Sequence, residues 1–463
     1  MTKLPNDHAI LVRLAALVEL ASDDKEWFGV AEQAISAIYA LAKFPDQLCT
    51  DIIRRKTKSV FAAQGPAIPG SSREGSAAPP ETPRSGVDAD GDEDMMDAGD
   101  VDMEDAMPAP PPPPPPLPAG HEDAEGREKK GKAFALSQLL FIVGHVAVKQ
   151  IVHLEIMELD FKKRKSDSEK NKDANPTPKK KDGDEKDELD LIGGTSEDDF
   201  TEAMAIIRER ELLYGQNSLL SNFGPLVAEI CANNLIYKDR NLQAQSTLCM
   251  AKLMCVSAEY CETNLPLLIT IMERSADPIT RSNAVIALGD MAVCFNHLID
   301  ENTDFLYRRL NDPDASVKRT CLMTLTFLIL AGQVKVKGQL GEMAKCLEDS
   351  DKRIADLSRM FFTELATKDN AVYNHFVDMF SLLSAERELE EDALRRIVKF
   401  LASFVEKDKH AKQLAEKLAA RLGRCETERQ WNDVAYALSL LQHKNEEIQK
   451  TIAAGFRVVH ATA

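Results

Sequence analysis

Four similar stretches of sequence decide the fold: residues 239–253 (DRNLQAQSTLCMAKL), 277–291 (DPITRSNAVIALGDM), 314–328 (DASVKRTCLMTLTFL) and 351–365 (DKRIADLSRMFFTEL). Each begins with an aspartate, and an anchor residue follows three positions later; the anchors are Leu242, Thr280, Val317 and Ile354. The anchors recur at intervals of 38, 37 and 37 residues. Small residues at +4 and +9 and apolar residues at +8 and +11 place a stripe on one helical face that a second helix can approach closely. The aspartate lies where a helix N-terminus needs a side-chain acceptor.

A period in the high thirties is typical of stacked helix pairs. It predicts an all-α fold, a HEAT-like α-solenoid in which each helical hairpin buries its apolar face only against its neighbours. An ordinary helical bundle with accidental spacing is the alternative, and the register held through four units argues against it.

The composition changes sharply on the N-terminal side of this array. Between residues 62 and 131 there are 16 acidic and 5 basic residues, so −11 of the net −18 lies in one low-complexity segment that includes the proline run 110–116. Such a segment cannot bury enough apolar area to offset its ordering entropy. We predict the following organisation: a HEAT-like helical segment at 1–61, a disordered acidic and proline-rich linker at 62–132, a long helix at 133–161 that packs on the solenoid, a disordered charged linker at 162–195, and the solenoid at 196–463.

Cysteine usage and the apolar runs indicate the compartment. The nine cysteines form no CxxC pair, no secretory leader is recognisable, and the uncharged apolar run 320–334 is shorter than the roughly 20 residues of a membrane span. We therefore expect a reduced, soluble, intracellular protein without a membrane segment.

The sequence carries no motif of an enzyme. No GxSxG, HExxH or complete phosphate-binding loop occurs, and His145 and His153 have no carboxylate or thiol companions at ligand spacing. We predict no catalytic residues, no metal site and no cofactor. Binding of partners along an extended surface is the usual role of a solenoid.

Clusters of cations are candidates for contact with a phosphate backbone. The predicted nucleic-acid-binding residues lie in two groups: Arg54, Arg55, Lys56 and Lys58, and Arg308, Arg309, Lys318 and Arg319. A third patch contains Arg395, Arg396 and Lys399. Sequence-independent binding to DNA requires several such cations on one surface, and a solvated helix face is the alternative interpretation of each patch taken alone.

One loop of the array is a candidate contact with a protein partner. Residues 334–338 alternate valine and lysine and end in a glycine that can adopt a left-handed backbone, so an extended loop would direct two lysines to one side. We predict Lys335, Lys337 and Gly338 as partner-binding residues, with a plain inter-helix loop as the alternative.

The linkers carry short regulatory motifs. Two basic clusters, 162–165 and 179–181, are separated by 13 residues, as in a bipartite nuclear import signal, and a solvated charge run is the alternative. Thr82 and Thr177 each precede a proline and are predicted phosphorylation sites, where phosphate would add about −1.5 to −2 charge.

Several stretches resemble a known family. Residues 134–155 (FALSQLLFIVGHVAVKQIVHLE) closely resemble the condensin complex subunit 1 family, the D2-type HEAT-repeat subunits of condensin. Residues 191–199, 252–257, 283–290 and 335–338 resemble the same family. Because members are considerably longer, the resemblance implies that this chain is a C-terminal portion or an excised segment.

The resemblance implies a non-catalytic regulatory subunit with several partners. It implies binding to the kleisin subunit and to the SMC ATPase heads, contact with double-stranded DNA in mitotic chromosome condensation, and location in the nucleus and cytoplasm and on chromosomes in mitosis. A transport-receptor or adaptor-type solenoid that binds no DNA shares the architecture and remains the alternative.

Overall fold

The computed structural model describes residues 3–62, 120–174, 196–216, 218–334, 338–368, 370–441 and 445–456, with side chains from 130 to 167 in the second range and from 199 in the third. Within these ranges all the regular secondary structure is helical, and an isolated bridge between Leu4 and Ala42 is the only β pairing. The predicted all-α solenoid is confirmed.

The four repeats each contain a continuous first helix and a second helix of more variable form. The first helices are Arg240–Met254, Pro278–Cys294, Ala315–Leu330 and Lys352–Ala366. In the first and fourth repeats the second helix is continuous, at Ala258–Arg274 and Ala371–Ala385. In the second repeat it is broken into four short consecutive turns, Asn296–Ile299, Asp300–Asn302, Thr303–Arg308 and Arg309–Asn311. In the third repeat it is the pair Leu340–Lys345 and Cys346–Glu348.

Further helices extend the array at both ends. On the N-terminal side they are Ala9–Glu19, Glu26–Leu41, Pro45–Ala62, Gly120–Ala174, Ser196–Ile206 with its continuation Ile207–Glu211 and Leu212–Tyr214, Leu220–Asn222 and Phe223–Ala232. On the C-terminal side they are Glu391–Ala402, Asp408–Leu422, Glu428–Leu440 and Glu446–Ala454.

The spacing that the four repeats share has the structural role that the pattern predicts. All four aspartates cap the first helices; Asp239 Oδ1 accepts a hydrogen bond from Leu242 N at 2.9 Å, and Asp351 Oδ1 accepts one from Arg353 N at 2.8 Å. The +4, +8 and +11 residues are buried in every repeat. The register of capping and burial is therefore the same in all four units.

Small residues allow neighbouring first helices to pack closely. A Cβ atom added to Gly289, at +9, would lie 2.5 Å from Thr324 Cγ2 of the next first helix. Positions +5 and +9 thus face the following unit, and +7 faces the preceding one. The +5 residues of the first three repeats, Thr247, Val285 and Leu322, are buried there.

Buried ion pairs fasten the loops between repeats. Asp312 has a fully buried side chain and accepts hydrogen bonds from Arg281 Nε at 2.9 Å and Nη2 at 2.8 Å. One repeat later, Lys318 Nζ lies 2.5 Å from Asp349 Oδ2. Each of these acceptors lies 31 residues after its donor, so the pairing repeats with the fold.

The long helix Gly120–Ala174 takes the place of a first helix before the four repeats. A Cβ added to Gly144 would meet Cys249 Cα at 3.2 Å, and Cys249 is the +7 residue of the first repeat, so Gly144 matches Gly289. The helix Phe223–Ala232 packs on Arg240–Met254 as the corresponding second helix. The prediction of a helix that packs on the solenoid therefore understated its role, because it is one of the stacked units.

This helix is longer than the predicted range 133–161 at both ends, so it includes parts of both predicted linkers. Near its C-terminal end, Lys162 pairs with Glu158 at 2.8 Å and Arg164 with Asp160 at 3.8 Å. Such pairs at i and i+4 stabilise a helix in a charged sequence. The remaining linker residues, 63–119 and 175–195, lie outside the described ranges.

The N-terminal helices share the same core. Tyr39 Oη donates a hydrogen bond to Gln150 Oε1 at 2.8 Å, and Gln138 Nε2 donates one to the carbonyl of Ser22 at 2.7 Å. One continuous cluster of buried apolar residues runs from Leu11 to Ile448. The described helices thus form a single stacked array.

Candidate partner and nucleic-acid interface

The predicted partner loop is only partly described. Lys335 and Lys337 lie outside the described residues, and their predicted role stays a prediction. Gly338 has φ +90°, a conformation that disfavours a residue with a side chain. On the other side of the gap Val334 is buried, and Asn296 Nδ2 donates a hydrogen bond to the carbonyl of Gln333. The backbone is therefore anchored immediately before the two lysines.

The first predicted group of cations is largely committed to contacts within the fold. Arg54 Nη1 lies 3.0 Å from Asp51 Oδ1, and Arg55 Nη2 lies 2.7 Å from Glu19 Oε1. Lys56 is buried, with Nζ 5.3 Å from the centroid of the Trp27 ring, and burial lowers the pKa of this lysine. Lys58 is exposed, and within the described part of the chain it forms no ion pair.

Lys56 is therefore not a surface cation, and its inclusion among the nucleic-acid-binding residues is corrected. The helix Pro45–Ala62 packs against both Glu26–Leu41 and the long helix, which turns this position inwards beneath Trp27. A lysine can bury its methylene stem in this way while its ammonium group contacts an aromatic face.

The second predicted group is also engaged. Arg308 Nη1 lies 3.2 Å from Glu273 Oε1, and Arg309 Nη1 lies 3.3 Å from the buried Asp312 Oδ2. Lys318 forms the inter-repeat pair described above. Arg319 is half-exposed and has no carboxylate partner among the described residues.

The structure thus separates structural cations from available ones. Arg309 and Lys318 balance buried or half-buried carboxylates, so they cannot leave these partners for a phosphate without cost. Three cations remain open to solvent: Lys58, Arg319, and Arg308, which is exposed although it pairs with Glu273. Lys58 lies on Pro45–Ala62 and the other two lie several helices further along the array, so the eight predicted residues do not form one compact patch.

Sequence reasoning missed a cleft beside the fourth repeat. Arg359, at +5 of Lys352–Ala366, is exposed where the earlier repeats bury Thr247, Val285 and Leu322, and Thr363 at +9 is exposed as well. Glu391–Ala402, the helix that follows the fourth repeat, leaves a cleft of about 380 Å³ on this side. Its lining consists of Leu347, Glu348, Arg359, Arg396, Ile397, Lys399, Phe400 and Ser403.

The third sequence patch contributes only part of this cleft. Arg395 turns away and pairs with Glu391 on its own helix, and its guanidinium lies 5.5 Å from the Tyr436 ring centroid. Arg396 and Lys399 line the cleft. The sequence did contain a signal for Arg359, because it places a charged residue at +5, a position that is buried in the other three repeats.

The titratable groups inside the fold are structural. His145 is buried, stacks on Phe141 with ring centroids 5.9 Å apart, and lies 3.4 Å from Ser36 Oγ; burial lowers the pKa of this histidine to about 4. No cluster of three or more histidine, cysteine, aspartate or glutamate side chains that could hold a metal ion occurs among the described residues.

One pair of thiols is chemically distinct. Cys294, at the exposed end of the second repeat's first helix, accepts a hydrogen bond from Cys255, which lowers the pKa of Cys294 to about 7. Burial raises the pKa of Cys231, Cys249 and Cys346 to about 12. Cys294 is thus the thiol of this set that ionises most readily near neutral pH.

Two further expectations concern the linkers and the membrane. Thr82 and Thr177 lie outside the described residues and stay predictions. Within the described ranges one helix, Lys130–Asp167, is long and apolar enough to cross a membrane, and 56% of its most apolar window is buried against the rest of the fold. A core helix of a stacked array has the same composition.

Comparison with known proteins finds similarity to subunits of condensin complexes. The family described as non-SMC mitotic condensation complex subunit 1 matches residues 279–439. Condensin complex subunit 1 of Schizosaccharomyces pombe is 50% identical over 98% of this chain and 36% of its own length. The Saccharomyces cerevisiae protein of that name is 46% identical over 97% of this chain and 34% of its own, and the Homo sapiens protein is 33% identical over 97% and 29%.

The chain spans about a third of the length of these curated relatives. Among solved structures, a designed armadillo repeat protein aligns with 47% of the chain at 13% identity and a TM-score of 0.26, too low to bear on the fold. Residues 279–439 are thus similar to the family described as non-SMC mitotic condensation complex subunit 1, and nearly the whole chain is similar to one part of the condensin complex subunit 1 proteins.

Proposed function

We propose that this chain acts as a non-catalytic HEAT-repeat regulatory subunit of a condensin complex in mitotic chromosome condensation. It would bind the kleisin and the SMC ATPase heads, contribute to engagement of double-stranded DNA, and act in the nucleus and cytoplasm and on chromosomes in mitosis. The single observation that carries the proposal is the 50% identity to a condensin complex subunit 1 over 98% of the chain.

The architecture is compatible with this role. A stacked array presents an extended surface on which a long, flexible partner can make many small contacts. In such an assembly the energy would come from ATP hydrolysis by the SMC subunits, and this chain would supply binding surfaces. The loop at 335–338 is the first place to test, since the residues directly before it, Gln333 and Val334, are anchored to the fold.

Two lysines on this loop are the proposed contact with protein partners. We expect K335E together with K337E to weaken co-purification of the kleisin and SMC heads while circular dichroism stays unchanged. The matched control is K409E with K412E, a pair of lysines on Asp408–Leu422 outside the proposed contact. Equal binding by both double variants would remove the loop from the proposal.

Duplex binding tests the nucleic-acid part separately. Because cations that neutralise phosphates release counterions, binding should weaken steeply as salt rises. We expect K58E and R319E each to reduce the affinity, and R309A to reduce stability more than affinity, since Arg309 balances a buried carboxylate.

The two tests also separate this function from a transport-receptor or adaptor role. A chain that purified without the kleisin and bound no duplex at low salt would contradict the condensin proposal for this part of the protein and favour the adaptor alternative.

A further inference from the structure

We propose that the cleft between Lys352–Ala366 and Glu391–Ala402 is a binding site for an acidic peptide segment of a partner protein, with an apolar side chain seated on the floor of the cleft and anionic groups held at its rim. This site is separate from the loop at 335–338 and does not depend on which complex the chain joins.

The cleft exists because the close packing of successive first helices is interrupted after the fourth repeat, although the array continues. The +5 position, which faces the following unit, is buried as Thr247, Val285 and Leu322 in the first three repeats. In the fourth it is Arg359, and this side chain is exposed. An arginine in place of valine or leucine keeps the next helix from closing on this face, since a guanidinium group buried without a partner would be strongly destabilising.

The rim of the cleft carries an excess of positive charge. Arg359, Arg396 and Lys399 line it together with a single carboxylate, Glu348. Arg396 Nη2 lies 2.8 Å from Glu348 Oε2, so this arginine is already partly balanced. Arg359 and Lys399 are exposed, and no carboxylate in the described part of the chain pairs with either. The net lining charge is about +2, which calls for an anionic ligand.

The floor of the cleft is apolar. Leu347 and Ile397 are buried, and Phe400 is half-buried with the Arg359 guanidinium 5.8 Å from its ring centroid. This contact holds the guanidinium at the edge of the cleft, where its fork of donors can bind a carboxylate or a phosphate in a bidentate manner. An apolar residue of the ligand would cover the part of the ring that remains open.

The dimensions favour a peptide over duplex DNA. A volume of about 380 Å³ holds a few side chains and falls in the usual range of concave binding sites. A duplex backbone needs cations spread over a long surface, and here only two unpaired cations converge on one concavity. The ligand therefore needs an anionic group beside an apolar residue, and glutamate, aspartate or a phosphorylated serine can supply that group.

The test uses the whole chain and two fluorescein-labelled peptides, Gly-Glu-Glu-Leu-Glu-Glu-Gly and its counterpart with phosphoserine in place of the second glutamate. Fluorescence anisotropy measures the affinity for each. We expect R359E with K399E to weaken binding at least tenfold. The matched control, K352E with R353E, changes two exposed cations of the same helix outside the cleft and should stay within about twofold of the unchanged chain.

Three results would overturn the proposal: no binding of either peptide, equal losses in the cleft and control variants, or a cleft variant that loses affinity for a 20-base-pair duplex while its affinity for the peptides is unchanged. Circular dichroism checks folding, and Arg359→Gln offers a milder variant if the charge reversal unfolds the chain. Tighter binding of one peptide identifies phosphate or carboxylate as the preferred anion, and either preference supports the site. A photoreactive p-benzoylphenylalanine in place of Ser403 should crosslink to a bound peptide.

Discussion

Removal of the carboxylate of Asp312 should locally open the array between the second and third repeats. Asp312 accepts two hydrogen bonds from Arg281 and one from Arg309, and its Oδ1 also accepts one from the backbone N–H of Asp314 at 3.0 Å. Its side chain is fully buried, and that of Arg281 is 9% exposed. In Asp312→Ala the guanidinium of Arg281 stays buried without its counter-charge.

The expected loss is about 3–5 kcal/mol, the usual cost of removing one partner from a buried ion pair. Hydrogen exchange is the appropriate assay, because a solenoid can open locally without global unfolding. A loss of about 3 kcal/mol corresponds to a decrease of roughly a hundredfold in amide protection. We expect this decrease in Pro278–Cys294 and Ala315–Leu330, with Asp408–Leu422 unchanged.

Two controls separate buried charge from lost packing. Arg308→Ala removes an exposed pair with Glu273 and should cost less than about 1 kcal/mol. The double variant with Arg281→Met and Asp312→Leu removes both charges and should recover most of the protection. Protection within threefold of the unchanged chain in Asp312→Ala would refute the reasoning, and so would a double variant as unprotected as the single one.

Three further outcomes follow from close packing and from the shifted pKa values. Gly289→Ala should destabilise the fold by about 1–3 kcal/mol and so lower the thermal unfolding midpoint, because the new Cβ meets Thr324. Alanine favours a helix over glycine, so a higher midpoint would contradict the close approach of the two helices. Burial lowers the pKa of His145 to about 4, so below about pH 6.5 the unfolded chain binds a proton at this residue more readily than the folded chain does. The free energy of unfolding should therefore fall by roughly 3 kcal/mol between about pH 6.5 and pH 4. Urea titrations of His145→Gln should lack this part of the pH dependence. Cys294 should react with iodoacetamide at pH 7 faster than the buried thiols, as followed by peptide mass spectrometry, and Cys255→Ala should slow it by removing the hydrogen bond that stabilises the thiolate; equal rates for all cysteines would contradict the assignment.

The regular part of the fold was readable from the sequence because its causes are local. An aspartate such as Asp239 caps a helix three residues away, and residues such as Leu288 and Leu325 return to the same face after two turns. Helix existence, the repeat period and the buried positions therefore follow from spacing alone. The length of Gly120–Ala174 was underestimated because pairs such as Lys162 with Glu158 stabilise a helix in a stretch whose composition is also typical of a linker.

The candidate surface was less predictable because a cation's availability depends on partners distant in sequence. Arg55 pairs with Glu19, 36 residues away, and Lys318 pairs with Asp349, 31 residues away. Comparison of the repeats could have found the pair of Lys318 with Asp349, since Arg281 and Asp312 in the preceding repeat are separated by the same number of residues. Lys56 follows Ile52 and Ile53 by four and three positions, on the buried face of its helix, and the cluster of cations around it hid this helical spacing.

The placement of the long helix has a consequence for how the chain can change in length. The helices Gly120–Ala174 and Phe223–Ala232 are held in one unit by their shared packing on Arg240–Met254, and no short turn joins them. Loop-closure entropy grows only slowly with length, by about 0.6 kcal/mol for each doubling. Intervening segments of very different length and composition can therefore be exchanged at this point at little thermodynamic cost. A proteolytic cut there would leave two fragments that the interface around Gly144 still holds together.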